Sequence, residues 1–169
     1  LLKSEKNGFG YPALLIGATL IVAADQATKI LVREKIPLYT SVKVIGGFFD
    51  LTHLQNRGAA FSFLAKTDNP WIGYGFTALA AFAIAFIAYV YGNLKKEDRL
   101  LKLGLILILG GAAGNLTDRL TIGSVTDFID MYINSHHWPA YNVADSCISI
   151  GATLIAIDWF SKPSTDKIA

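Results

Sequence analysis

Apolar residues in this chain gather into four long runs, each close to the roughly 20 residues that an α-helix needs to cross a bilayer. The runs cover about Tyr11 to Val32, Trp71 to Tyr91, Leu100 to Arg119 and Asn142 to Phe160. The second contains no charged residue; Asn69-Pro70 precedes it as a helix start, with proline tolerated in the first turn. Trp71, Tyr74, Tyr89 and Tyr91 fall near its two ends, where aromatic belts are expected. Between the first two runs, residues 37–66 have a different texture. Val42-Lys43-Val44, Gly46-Gly47 and Phe49-Asp50-Leu51-Thr52-His53-Leu54 read as short strands about a turn. Strands with open hydrogen bonds cannot face hydrocarbon, so this segment predicts a cradle on the membrane surface. A second, shorter surface segment runs from Thr121 to Ala140. The pattern predicts an α-helical integral membrane protein, a single membrane domain over residues 1–169 with four transmembrane helices and a small extracytoplasmic β-cradle.

Composition agrees. Hydrophobic residues make up 53% of the 169 and charged residues 17%, against roughly 25% charged in soluble domains. The formal charge of +2, without a basic-aromatic patch, argues against nucleic acid as a partner. Cys147 is the only cysteine, so neither an intrachain disulfide nor a cysteine metal cluster is expected. A signal-peptide reading of Lys3, Lys6 and the following run is set aside. That run outlasts a normal h-region, keeps Asp25 and Lys29 in helical register and lacks an A-x-A site, so the first span is expected to be retained.

Orientation follows the positive-inside rule. Lys95, Lys96 and Arg99 in the short second connection, Lys3 and Lys6, and Lys162 and Lys167 put that connection and both termini in the cytoplasm. Residues 121–140 carry no Lys or Arg; the long 33–69 segment does, and longer segments obey the rule less strictly. With both surface segments outside, the ionisable groups of the spans converge at one face. Asp25 and Lys29 come from the outer end of the first helix, and Asn115, Asp118 and Arg119 from that of the third. Asp127 lies in the outer connection and Asp145 in the first turn of the fourth helix. Such groups are costly in a membrane and are functional candidates by default. Gly111, Gly114, Asn115 and Asp118 share a face, Gly110 and Gly114 admit a close helix, and Asn142, Asp145, Ser146, Ser149 and Thr153 form a stripe expected to face the bundle. Asp158 reads as a solvated terminus.

Asp25 has Lys29 one turn away, and Asp118 has Arg119 beside it and Asn115 on its face; nearby cations hold a carboxylate ionised, which suits structure. Asp127 and Asp145 have no cation at helical spacing. Two such carboxyls brought together share one proton, giving a base to activate water and an acid to polarise a carbonyl. Plainer readings stand beside this one: any single aspartate can be a cap or half an ion pair. Adjacent His136 and His137 make a poor ligand pair, Cys147 reads as a packed small residue, and a Lys29 dyad with Ser146 or Ser62 would be quenched by Asp25.

Five motifs in chain order then carry a resemblance: Asp25-Gln26-Ala27-Thr28-Lys29, Asn56-Arg57-Gly58-Ala59-Ala60-Phe61, residues 110–119 (GGAAGNLTDR), Val125-Thr126-Asp127-Phe128 and Tyr141-Asn142-Val143-Ala144-Asp145. Across nearly the whole chain they resemble bacterial lipoprotein signal peptidase, the type II signal peptidase; Tyr141 stands where that family usually has Phe. The resemblance implies a metal- and cofactor-free aspartic endopeptidase of the inner membrane. It would remove signal peptides from prolipoproteins just before a diacylglyceryl cysteine, in contact with membrane lipids. It carries the catalytic pair onto Asp127 and Asp145. The supporting polar residues fall on Asp25, Lys29, Asn56, Asn115, Asp118, Arg119 and Asn142. A proton- or ion-coupled transporter is the alternative, and predicts interrupted helices near the midplane. Presenilin-like Y-D and G-x-G-D signatures are missing.

Overall fold

The computed structural model describes residues 10–57, 70–95 and 97–162. Lys3, Lys6, Gly58, Ala59, Ala60, Phe61, Ser62, Lys66, Asn69, Lys96 and Lys167, and the side chain of Trp71, lie outside what is described. Four helices form where the apolar runs predict them: α1 Tyr11–Lys35, α2 Pro70–Asn93, α3 Arg99–Ile122 and α4 Val143–Ser161. All four are long and apolar enough to span a membrane. The shortest, α4 with 19 residues, is about 29 Å long, close to the hydrocarbon thickness.

Helix α3 is the centre of the bundle. It packs against α1, α2 and α4, and no comparable contact joins α2 to α4 among the described residues. Small residues set how closely α4 approaches. A Cβ on Gly104 would stand 2.8 Å from the carbonyl oxygen of Gly151, and one on Gly151 2.6 Å from that of Gly104. One turn before the polar end of α3, the Gly111 Cα faces the Ala144 carbonyl oxygen with no room for a methyl group. Gly110 admits Ile21 of α1, and Gly114 admits Asp25. At the opposite end of the bundle, Asp158 is not a free solvated terminus. It pairs with Lys162 at 2.8 Å, and Lys162 reaches Asp98 at 2.8 Å, tying the end of α4 to the start of α3.

The surface segments form one antiparallel sheet in the order β1-β2-β3-β4, with β1 Ser41–Ile45, β2 Phe49–Asn56, β3 Val125–Ile133 and β4 His136–His137. The β1–β2 hairpin follows the sequence expectation. Its extension does not: the cradle is completed by β3, from a segment whose pattern predicts no strand. Gly123, at φ +73°, ends α3 and turns the chain into β3. Strand alternation separates two faces. Val42, Leu51 and Ile129 lie in register on one face, and Lys43, Asp50 and Asp130 on the other. Leu51 and Ile129 pack with Val32, Ile36 and Phe128, anchoring the sheet over the end of α1.

The α3–α4 contact makes a direct prediction. Gly111→Ala should lower thermal stability in detergent by about 1–3 kcal/mol, the usual cost of overpacking against an unyielding neighbour. Gly75→Ala, in α2 where a Cβ meets nothing within 4 Å, should be neutral or stabilising by about 0.5–1 kcal/mol through helix propensity.

Candidate active site

The polar ends of α1 and α3 meet in a buried ionic cluster. Lys29 Nζ is 2.8 Å from Asp25 and 3.3 Å from Asp118, and donates to Asn115 Oδ1 at 2.9 Å. The side chains of Lys29, Asp25 and Asp118 are all completely buried. An ammonium has three donors and no acceptor, so these three partners satisfy it. Gln26 donates to Asp25, to Asp118 and to the Gly114 carbonyl. Arg33, one turn beyond Lys29, lies 3.5 Å from Asp118 and donates to Thr126 Oγ1. Two cations thus balance two carboxylates.

The remaining carboxylate oxygens reach two other elements. Asp25 Oδ1 accepts the backbone N–H of Ala144 at 3.0 Å, and Asp118 Oδ2 that of Thr126 at 2.9 Å. Ala144 immediately precedes Asp145 on α4, and Thr126 immediately precedes Asp127 on β3. Each candidate catalytic residue is therefore pinned, one peptide away, to the same ionic cluster.

Asn142 joins the two candidates. It is the N-cap of α4 in a capping box with Asp145: its Oδ1 accepts from the Asp145 N–H, and its own N–H donates to Asp145 Oδ2 at 3.2 Å. Its side-chain amide donates to Asp127 Oδ1 at 2.8 Å. Asn115 donates to Asp145 Oδ1 at 2.8 Å while accepting from Lys29, so it links the ionic cluster to the pair. Asn56 donates to Asp127 Oδ2 at 3.0 Å. In the β2–β3 register Asn56 stands opposite Val125, so it reaches Asp127 along the diagonal of the ladder.

Both carboxyls line a cavity of about 860 Å³ that also takes in Phe76, Arg119, Met131, Tyr141 and Ser146. Asp127 is nearly buried, and burial pushes its carboxyl from an ordinary 3.8 up to about 6. The charge of Asp145 pushes the same way, while Asn56, Asn142 and Lys29 pull against it. This pair can hold a proton on one member and a negative charge on the other, the arrangement general acid–base chemistry requires.

All nine residues singled out in the sequence meet here: Asp25, Lys29, Asn56, Asn115, Asp118, Arg119, Asp127, Asn142 and Asp145. Arg119 differs in its partner. Asp118 is held by Lys29 and Arg33, whereas Arg119 donates to the Asn115 carbonyl, lies 5.8 Å from the Phe76 ring and faces the charges of Asp145 and Asp127. The α4 stripe also departs from expectation. Asn142 is buried, but Ser149 and Thr153 are exposed. Ser146 and Ser149 line the cavity, and Thr153 returns its hydroxyl to the Ser149 carbonyl. Sequence reasoning assigns no role to Gln26, Arg33 or Thr126. Arg33 is readable, since it continues the four-residue step from Asp25 through Lys29. His137 pairs with Asp130 and stacks on Tyr132. Ser146 donates to the Asn142 carbonyl, and Lys29 has its three partners elsewhere. No group of three or more His, Cys, Asp or Glu suited to a metal occurs among the described residues.

Removing one member of a buried ion cluster leaves the others uncompensated. Lys29→Met should therefore destabilise by about 3–5 kcal/mol, whereas the triple variant that adds Asp25→Asn and Asp118→Asn should recover part of the loss, read as thermal unfolding in detergent.

Known proteins resemble this chain in sequence and in fold. The family described as Signal peptidase (SPase) II matches residues 17–161. A lipoprotein signal peptidase of Geobacter metallireducens is 45% identical over 150 residues, covering 88% of this chain and 90% of that protein. One of Maridesulfovibrio salexigens is 42% identical over 154 residues, covering 91% and 97%. A bacterial membrane enzyme solved by the in meso method at 2.3 Å resolution superposes with a TM-score of 0.80 at 28% identity, covering 97% of this chain and 96% of that one. With the whole site inside the matched region and four helices able to span a membrane, the chain belongs to the signal peptidase II family of membrane proteases.

Proposed function

We propose that this protein is an aspartic endopeptidase that removes signal peptides from prolipoproteins, cutting just before the diacylglyceryl cysteine. The observation that carries the reading is the hold of one residue, Asn142, on the carboxyls of both Asp127 and Asp145 within one cavity. The catalytic pair is Asp127 and Asp145. Asp127, raised to about 6, keeps the shared proton, and Asp145 is the base.

In this mechanism Asp145 takes a proton from water as the water oxygen attacks the scissile carbonyl carbon. Asp127 gives its proton to the carbonyl oxygen, producing a gem-diol. When the diol collapses, the C–N bond breaks; Asp145 returns its proton to the leaving nitrogen, and a diol hydroxyl restores the proton of Asp127. Arg119 faces both carboxyls and stabilises negative charge that develops between them. The substrate's signal helix lies among the spans with its lipid chains in the bilayer. The cradle, ending at Asn56, holds the extended residues around the scissile bond. The positive-inside pattern supports both termini in the cytoplasm and the site at the extracytoplasmic face of the inner membrane, where water is available. The transporter alternative finds no support: the four helices are unbroken, and Asp25, Asp118, Asp127 and Asp145 gather at one end of the bundle and not near its middle.

The test is cleavage of a prolipoprotein by the purified protein in detergent, with and without diacylglyceryl modification and with chelator. Only the lipid-modified form should be cut, chelator should have no effect, and Asp127→Asn and Asp145→Asn should each abolish turnover while staying folded. Cleavage by either variant would refute the pair. The pH profile of kcat/KM should be bell-shaped, with its upper limb near 6, where Asp127 loses its proton. A single-limbed profile would argue against a shared proton.

A further inference from the structure

Strand β2 is not regular where it passes the end of α1. Leu51 pairs with Ile129 and Leu54 with Asp127, so Thr52 and His53 together oppose Phe128 alone. This is a β-bulge, a device that re-aims the side chains after it. Both bulge side chains are buried, His53 with 5% exposure. The chain leaving α1 closes around them. His53 donates its backbone N–H to the Thr40 carbonyl at 3.0 Å, and its own carbonyl accepts the Tyr39 N–H at 2.8 Å. Thr52 Oγ1 donates to the Thr40 carbonyl. Tyr39 is held at φ +62°, a strained setting for a bulky residue, which the surrounding contacts must enforce.

The His53 ring completes this closure. Its Nδ1 lies 2.8 Å from the carbonyl oxygen of Ile36, the C-cap of α1. A carbonyl can only accept, so Nδ1 carries the proton. Nε2 is buried and has no partner among the described residues, so the ring's polar hold rests on Nδ1. A bond to the last carbonyl of a helix is favourable in its own right. Here it also joins the end of α1, the helix that carries Lys29 and Arg33 into the ionic cluster, to the bulge on β2. Three residues past His53 stands Asn56, which donates to Asp127. A strand that slips by one residue turns its side chains to the opposite face, so the hold on the bulge decides whether Asn56 reaches that carboxyl.

We infer that His53 is a positioning residue for the catalytic pair: by fastening the β2 bulge to the end of α1 through Nδ1, it keeps Asn56 bonded to Asp127. This deepens the proposed function and rests on it. Asn56 stabilises the ionised form of Asp127, so losing that bond moves the Asp127 proton to higher pH.

The experiment compares kcat/KM against pH for the full chain in detergent, with diacylglyceryl-modified prolipoprotein as substrate. The variants are His53→Leu, His53→Asn, His53→Gln, Asn56→Ala and the double variant His53→Leu with Asn56→Ala, beside Asp127→Asn. His53→Leu should lose about tenfold in kcat/KM, the equivalent of one hydrogen bond, and move the upper limb alkaline as Asn56→Ala does. The double variant should be no worse than Asn56→Ala alone, because both act through one bond. His53→Asn, whose amide nitrogen stands where Nδ1 does, should restore rate and profile; His53→Gln, which matches Nε2, should not. An unmoved pH profile, full additivity in the double variant, or rescue by Gln and not Asn would overturn the inference. If His53→Leu fails to fold, the Asn and Gln pair decides. An inactive Asp127→Asn with an unmoved His53→Leu profile defeats this inference alone, whereas an active Asp127→Asn defeats the function on which it rests.

Discussion

A lysine ammonium placed among helices meant for lipid is the constraint around which this molecule is arranged. Lys29 cannot reach water, and an isolated buried charge costs several kcal/mol. It is tolerable because Asp25, Asp118 and Asn115 meet all three of its donors. Those partners come from two helices, so satisfying the charge requires α1 and α3 to pack in one register. The glycines of α3 make that register possible, since Gly114 leaves the space that the Asp25 carboxyl occupies.

From this packing the charges are relayed into geometry. Asp25 and Asp118 each turn toward the cations and their amide partners, and each also accepts a backbone N–H of a different element. Through Ala144 and Thr126 the cluster fixes where α4 begins and where β3 runs. Asn115 and Asn142 then orient the carboxyls themselves, one with its amide shared between cluster and site, the other bridging the pair. The division of labour among four aspartates is set by their surroundings. Two lie against cations and hold the structure. The third, Asp127, lies in a nearly buried place with another acid close by, and its proton affinity rises accordingly.

Much of this is legible in the chain. Long apolar runs report spans directly, because hydrocarbon leaves backbone polar groups no choice but a helix. The ion pair of Asp25 can be read from a local cation, since Lys29 lies one turn away. The partners of Asp118 cannot, because Arg119 is adjacent in sequence but turned toward the cavity, and Lys29 and Arg33 arrive from 85 or more residues away. Strand β3 escapes a reading of the sequence because its pairing partner, β2, lies on the far side of two spans. The run Val125–Ile133 also carries aspartates where a membrane reading sees only a connection. The bulge at Thr52-His53 leaves no local mark: it is defined only by a register with a distant strand.

The attachment of Asp127 and Asp145 through the backbone of their neighbours has a consequence for how such a site can change over generations. An amide N–H is supplied by every residue but proline, so drift at positions 126 and 144 cannot erase the anchor by altering chemistry. Ala144 is confined by volume, with Gly111 and Gly114 pressed against it, but not by any functional group of its own. The burden of inheritance therefore rests on the acceptors, Asp25 and Asp118, whose carboxylates alone supply the other half of each anchor.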